Sequence, residues 1–123
     1  MVRFVLDTNI VLYFLGGRLS EPLPAGPSII SVISELELLA YPGLAPSEEQ
    51  KVRAFLADIA VMELTLAIKN HAVDLRKRYS LKLPDAIVAA TALALEATLL
   101  TNDQRLLQLK EVPTQMLPIK ALS

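Results

Sequence analysis

The chain has no cysteine and a single histidine, His71, in 123 residues. Without cysteine there is no disulfide, no thiolate nucleophile and no thiolate zinc site, and the composition fits a reducing cytoplasm. One histidine excludes a histidine-built metal centre and leaves no spare base for a serine–histidine triad. Any chemistry must rest on carboxylates, hydroxyls and basic side chains. A charge excess is also missing: 12 Lys and Arg oppose 13 Asp and Glu, a formal net charge of −1. The chain therefore lacks the global basic field of many nucleic-acid binders, and any such contact must come from a local patch. Long apolar runs are missing too. The stretch 86–101 is broken by Glu96. The N-terminal MVRFVLDTNIVLYFLGG, which has some likeness to a signal peptide, is interrupted by Asp7 and followed by no cleavage motif. We expect a cytoplasmic protein with no membrane span.

What is present is an apolar fraction of 53 % and a mean hydropathy of +0.44. That is enough to build a core, and the length suits one domain over residues 1–123. No internal repeat, low-complexity tract or long linker divides it. Short apolar runs rich in β-formers predict strands at 2–6, 28–30, 60–63, 98–101 and 115–118, the last as strand or extended tail. Between them, helices are predicted at 9–15, 32–41, 47–58, 66–78, 84–96 and 103–110. Ser47 is the expected cap of the third helix, with Gln50 completing a capping box. In the fourth, Ala67, Ala72, Leu75 and Tyr79 stand near helical spacing. Pro84 suits a first helical turn, where its missing N–H costs nothing. Strands alternating with helices predict an α/β fold with a parallel sheet covered on both faces.

Four acids stand beside these apolar runs: Asp7, Glu37, Asp85 and Asp103. If the strands are parallel, they converge on one edge of the sheet. Carboxylates held together are costly unless a cation neutralises them, which points to a Mg²⁺ or Mn²⁺ site. Each acid has a plainer role as well. Asp7 and Asp103 follow strands and precede helices, where an aspartate caps backbone N–H groups. Asp85 in a first helical turn meets the positive end of the helix dipole. Glu37 shares its helix with Glu35; one must face solvent, and periodicity does not choose between them.

The segments carrying these acids resemble those of the PIN-domain family, and within it the VapC-type toxin endoribonucleases of type II toxin–antitoxin systems. Asp7-Thr8-Asn9 after an apolar strand looks like the family's opening LDTN motif. Ser34 followed three residues later by Glu37-Leu38 resembles the second segment, and this register selects Glu37 over Glu35. Leu83-Pro84-Asp85-Ala86 with Ala89-Ala90-Thr91-Ala92 resembles the third, and Thr101-Asn102-Asp103 the fourth. The likeness spans nearly the whole chain in the right order. Arg105 departs from it, since many members carry a further acid there, and Leu106 stands where an aromatic is common.

The resemblance implies a PIN-like three-layer α/β/α fold with a central, mainly parallel sheet of four to five short strands. It implies hydrolysis of RNA phosphodiester bonds leaving a 5′-phosphate, with Asp7, Glu37, Asp85 and Asp103 as Mg²⁺ or Mn²⁺ ligands, direct or through water. Thr8, Asn9, Ser34 and Thr101 then become candidates to orient carboxylates or water. It also implies a VapB-like antitoxin and a homodimer, for which Ile10–Leu15 and Val32–Tyr41 are candidate contact surfaces. Arg76, Lys77, Arg78 and Lys82 form a local basic run that either holds RNA or is a solvated helix end. Tyr13, Phe14 and Tyr41 are expected in the core or an interface, and His71 on a helix surface. Two rivals remain open. An aspartyl-phosphate phosphatase would want an acid where Asn9 stands. A catalytically silent PIN-like module, binding protein or RNA, is consistent with Arg105.

Overall fold

Val5 and Leu6 are completely buried, so the first strand runs through the middle of the molecule and not along an edge. The computed structural model describes residues 2–121. Its elements are β1 (Phe4–Leu6), α1 (Thr8–Leu15), β2 (Ser28–Ser31), α2 (Val32–Leu39), α3 (Pro46–Asp58), β3 (Ala60–Met62), α4 (Leu66–Tyr79), α5 (Leu83–Ala94), β4 (Thr98–Leu100), α6 (Gln104–Leu107) and β5 (Thr114–Gln115). The five strands form one sheet in the order β3-β2-β1-β4-β5, and every pairing is parallel. The expected α/β/α sandwich is the fold observed, with the full complement of five strands.

Side-chain alternation divides the sheet between two cores. Val5 and Leu99 point to one face, where they meet Ile68, Ala72 and Leu75 of α4, the alanines of α5, and Leu106. Phe4, Leu6, Ile30 and Leu100 point to the other, against Ile10 and Val11 of α1, Leu38 of α2 and Val52 of α3. A parallel sheet needs both faces covered in this way.

Several boundaries differ from the sequence-based expectation. Helix α3 begins at Pro46, with Ala45 at its N-cap and Pro at the first helical position. There the fixed φ of proline is already helical. Glu48 Oε1 accepts from Ala45 N at 2.9 Å, so the helix starts without the expected Ser47 cap or Gln50 box. In α4 the inward stripe is Ile68, Ala72 and Leu75, and Ala67 is exposed. Ser80 ends α4 at φ 54 and Glu96 follows α5 at φ 53, both left-handed turns. Helix α6 is a single turn, and β5 is two residues long because it joins the sheet only through Leu99 and Leu100. Among the described residues no helix is long and apolar enough to cross a membrane.

Candidate active site

The chain moves outward from β1 to β2 and β3, then returns to the other side of β1 for β4 and β5. The strand order therefore reverses between β1 and β4. In open parallel sheets the crevice beyond the strand ends at such a reversal is where ligands bind. Asp7 follows β1 directly, and Thr101-Asn102-Asp103 follows β4.

Asp7 is buried and uses both carboxylate oxygens. Oδ1 accepts from Thr8 N at 2.8 Å, capping α1. Oδ2 accepts from the Thr101 hydroxyl at 2.7 Å. The same Thr101 oxygen accepts from Asp103 N at 3.0 Å, tying two acid-bearing loops together. Asp103 Oδ1 in turn accepts from Arg105 N at 2.8 Å. Asp7 and Asp103 thus cap α1 and α6 while standing at the strand-order reversal.

From β2 the chain enters α2, capped by Ser31, whose hydroxyl accepts from Ile33 N. Ser34 and Glu37 are one helical turn apart and face the same point. Thr8 Oγ1 lies 2.9 Å from Ser34 Oγ and 2.7 Å from Glu37 Oε1. Ser34 is completely buried, while the Glu37 residue is largely exposed with its carboxylate at this contact. Glu35 has no such partner among the described residues. Asp85 enters on the first turn of α5, half-buried.

Two of the four acids, Asp7 and Asp85, are raised. Burial pushes the Asp7 carboxyl up to about 6, opposed by the Thr101 hydrogen bond and reinforced by the charges of Asp85 and Asp103. Asp85 is raised by burial and by the charges of Asp103 and Glu37, and lowered by Lys82 and Arg105. None of the four is in a salt bridge among the described residues.

The basic run divides. Lys82 and Arg105, both exposed, flank Asp85. Arg105 is the residue that sequence reasoning passed over as a mere departure; nothing local signals its position beside Asp85. Arg78 instead pairs with Glu111 at 2.6 Å, and Glu111 also accepts from the Tyr79 hydroxyl. Arg76 and Lys77 border an apolar groove of about 470 Å³ between α4 and α5, floored by Leu64, Val73, Leu83 and Ile87. His71 lines a separate small cavity with Asp74 and Arg78. Asn9 is exposed. Asn102 is structural: its amide donates to Leu117 O and its oxygen accepts from Leu117 N, both at 2.9 Å, which anchors the chain after β5. Of the aromatics, Phe14 packs against Phe55 at a centroid distance of 6.2 Å, and Tyr41 is exposed.

Clustered carboxylates whose oxygens keep lone pairs beyond their hydrogen bonds are the donor set that a hard divalent cation prefers, so the chemistry of the residues fits Mg²⁺ or Mn²⁺. As placed, no three Asp, Glu or His side chains among the described residues close round a single point. The fit is one of charge and donor type.

Comparison with known proteins bears on the fold and the family. The family model described as PIN domain matches residues 4–112. A toxin–antitoxin complex from Klebsiella pneumoniae is similar at 28 % identity and a TM-score of 0.73, over 88 % of this chain and 93 % of that one. VapBC2 from Rickettsia felis, bound to a DNA fragment from its promoter, is similar at 18 % identity and a TM-score of 0.78, over 95 % and 100 %. DNA-bound VapBC from Salmonella typhimurium is similar at 20 % identity and a TM-score of 0.78, over 94 % and 98 %. The last two identities are low enough to speak for the fold alone. No curated protein matches the chain significantly.

Proposed function

The chain belongs to the PIN-domain family, and on that premise we propose that it is a divalent-metal-dependent endoribonuclease, the VapC-like toxin of a toxin–antitoxin pair. The observation that carries this reading is the hydrogen-bonded cluster at the strand-order reversal, in which Asp7 is buried, Thr101 ties it to the Asp103 loop, and Thr8, which follows Asp7, holds Glu37. These four carboxylates would hold Mg²⁺ or Mn²⁺. A bound ion would supply polarisation of a phosphoryl oxygen and a more acidic water. The Thr101 hydroxyl orients Asp7, and Thr8 orients Glu37. Lys82 and Arg105 put positive charge beside Asp85, where a polyanionic backbone needs it in a chain with no net basic charge. The substrate in this reading is RNA, and the products carry 5′-phosphates.

The further partners are a VapB-like antitoxin and a second copy of the chain. For the second copy, the candidate stretch 32–41 offers exposed Leu36, Leu39 and Tyr41, the stretch 10–15 offers Phe14 but not the buried Ile10 and Val11, and the groove between α4 and α5 is a further apolar surface.

One alternative has an observation in its favour. A catalytically silent PIN-like module is consistent with Arg105 beside Asp85 and with carboxylates that do not close on one point. Incubating the purified chain with total RNA and Mg²⁺ or Mn²⁺ separates the two. The nuclease reading expects cleavage to 5′-phosphate ends that Asp7→Asn and Asp85→Asn abolish while circular dichroism is unchanged. Equal cleavage by wild type and Asp7→Asn would overturn it. RNA binding without cleavage would favour the silent module.

A further inference from the structure

The Thr8 hydroxyl has two oxygen neighbours, Ser34 Oγ at 2.9 Å and Glu37 Oε1 at 2.7 Å, but only one proton to give. An ionised carboxylate can only accept, so the Thr8 proton belongs on the Glu37 contact. The Ser34 contact is then a hydrogen bond only if Ser34 donates. Ser34 is completely buried on the first turn of α2, and Thr8 is nearly so on the first turn of α1. Every buried side-chain oxygen and nitrogen among the described residues has a partner, which holds for Ser34 only through Thr8.

We propose that Ser34 is a positioning residue, acting on Glu37 through a directed relay in which Ser34 donates to Thr8 and Thr8 donates to Glu37. The proposal rests on the reading of Glu37 as a metal ligand and adds what holds that ligand in place. The relay joins the ends of β1 and β2, because Thr8 opens α1 and Ser34 lies on α2. It also explains how one of two glutamates on a short exposed helix is singled out. Glu37 is one turn beyond Ser34, and Glu35 is its neighbour in sequence on a different face. Thr has two accessible rotamers at a helix start, and its hydroxyl can turn to backbone acceptors. Ser34 removes that freedom by filling the Thr8 lone pair from the buried side.

The test is a double-mutant cycle on the full chain, with Mn²⁺ alone as the probe and calorimetry as the readout. Outer partners of metal ligands change metal affinity by about 10- to 100-fold when removed. Ser34→Ala and Thr8→Val are each expected to weaken Mn²⁺ binding within that range, and Thr8→Ser to restore it. The decisive arm is Ser34→Ala in the Thr8→Val background, where no further loss is expected because the relay is already cut. An equal additional loss there would show that Ser34 acts independently, and wild-type affinity in Ser34→Ala alone would show a packing role; either overturns the proposal. Ser34→Cys, close in size and a weak donor, covers the case where the alanine variant does not fold.

A crystal structure of the Ser34→Ala or Ser34→Cys chain without metal provides a second arm that does not need metal binding. The Thr8 hydroxyl turned away from Glu37 supports the relay, and the 2.7 Å contact retained overturns it. Wild type that binds no Mn²⁺ while the crystallographic arm succeeds would reject the metal reading and keep the relay.

Discussion

Replacing Asp7 with asparagine should stabilise the fold at neutral pH even as it removes function. The Asp7 carboxyl is raised from the ordinary 3.8 to about 6, with burial as the largest cause. The folded chain therefore holds this proton more tightly than the unfolded chain does. Its contribution favours folding fully below about pH 4 and is lost as pH rises through about 6. At roughly 1.4 kcal/mol per pH unit, the full swing is about 3 kcal/mol. Asparagine carries no titrating proton, so the stability difference between Asp7→Asn and wild type should grow by that amount from acid to neutral pH. Part of the gain is offset. Asp7 accepts from both Thr8 N and the Thr101 hydroxyl, and asparagine has one oxygen for the two donors. An unmet buried donor costs about 1–3 kcal/mol, although the Thr101 hydroxyl can rotate. The net expectation at pH 7.5 is a variant equal to wild type or more stable by up to ~2 kcal/mol. Urea unfolding from pH 4.5 to 8 in chelator measures it, and the difference between the two curves cancels every other titrating group to first order. Asp85, also raised, appears in both chains. A flat difference curve, or one that falls with pH, would refute the idea that the buried Asp7 charge is destabilising. Adding Mn²⁺ should restore stability to wild type and not to the variant, since a bound cation stabilises only the state that binds it.

Three shorter expectations follow from the same geometry. Glu37→Gln should weaken Mn²⁺ binding by more than about tenfold, while Glu35→Gln changes it little; calorimetry distinguishes them, and equal effects would remove Glu37 from the site. Arg105→Ala should raise the Asp85 carboxyl further, because Arg105 is one of two cations that lower it; carboxyl NMR titration reads the direction, and a fall would contradict the placement. Val73→Asp in the α4–α5 groove should shift any dimer toward monomer in light scattering, whereas Asp at exposed Ala67 should not.

Alternation of short apolar strands with helices was enough to read the α/β class and the number of strands. Periodicity carries no information on strand order; that comes from where each crossover returns the chain, and parallel connections constrain it only through handedness. The Asp7 cap was legible, and α2 and α4 begin at Val32 and Leu66 as expected, with Ser31 and Thr65 as caps that the structure supplies. They were misread at α3, where a proline and a reaching glutamate do the work that Ser47 was expected to do. In α4 the expected Ala72 and Leu75 are buried, and only the first position of the stripe was misread: Ile68, four residues before Ala72, keeps the helical period that Ala67 breaks. In the candidate site, the motif register pointed to Glu37, and the structure places its carboxylate 2.7 Å from the Thr8 hydroxyl, a partner that Glu35 lacks among the described residues. Lys82, three residues before Asp85, was legible in the basic run, whereas the approach of Arg105 to Asp85 was invisible because it joins α6 to α5 across a strand, a relation no local pattern records.

The composition of α5 links the core to the site. Ala86, Ala89, Ala90 and Ala92 are completely buried, and the helix packs against β1, β2 and β4 as well as α2 and α4. Helix separation follows the size of the side chains at the contact, so a face of alanines lets the backbone approach its neighbours closely. Closeness matters because Asp85 sits on the first turn, where backbone position largely sets where its carboxylate can reach. A larger residue in the same stripe would still be apolar and would still bury area, yet it would lift the helix and carry Asp85 away from Asp7. The alanine stripe therefore meets two demands at once. It supplies apolar surface for one of the two cores, and it places one of four mutually repelling acids near enough to another for burial and charge to raise both. The fold accepts that repulsion at the strand-order reversal, where the chain ends of β1 and β4 leave room for a ligand to relieve it.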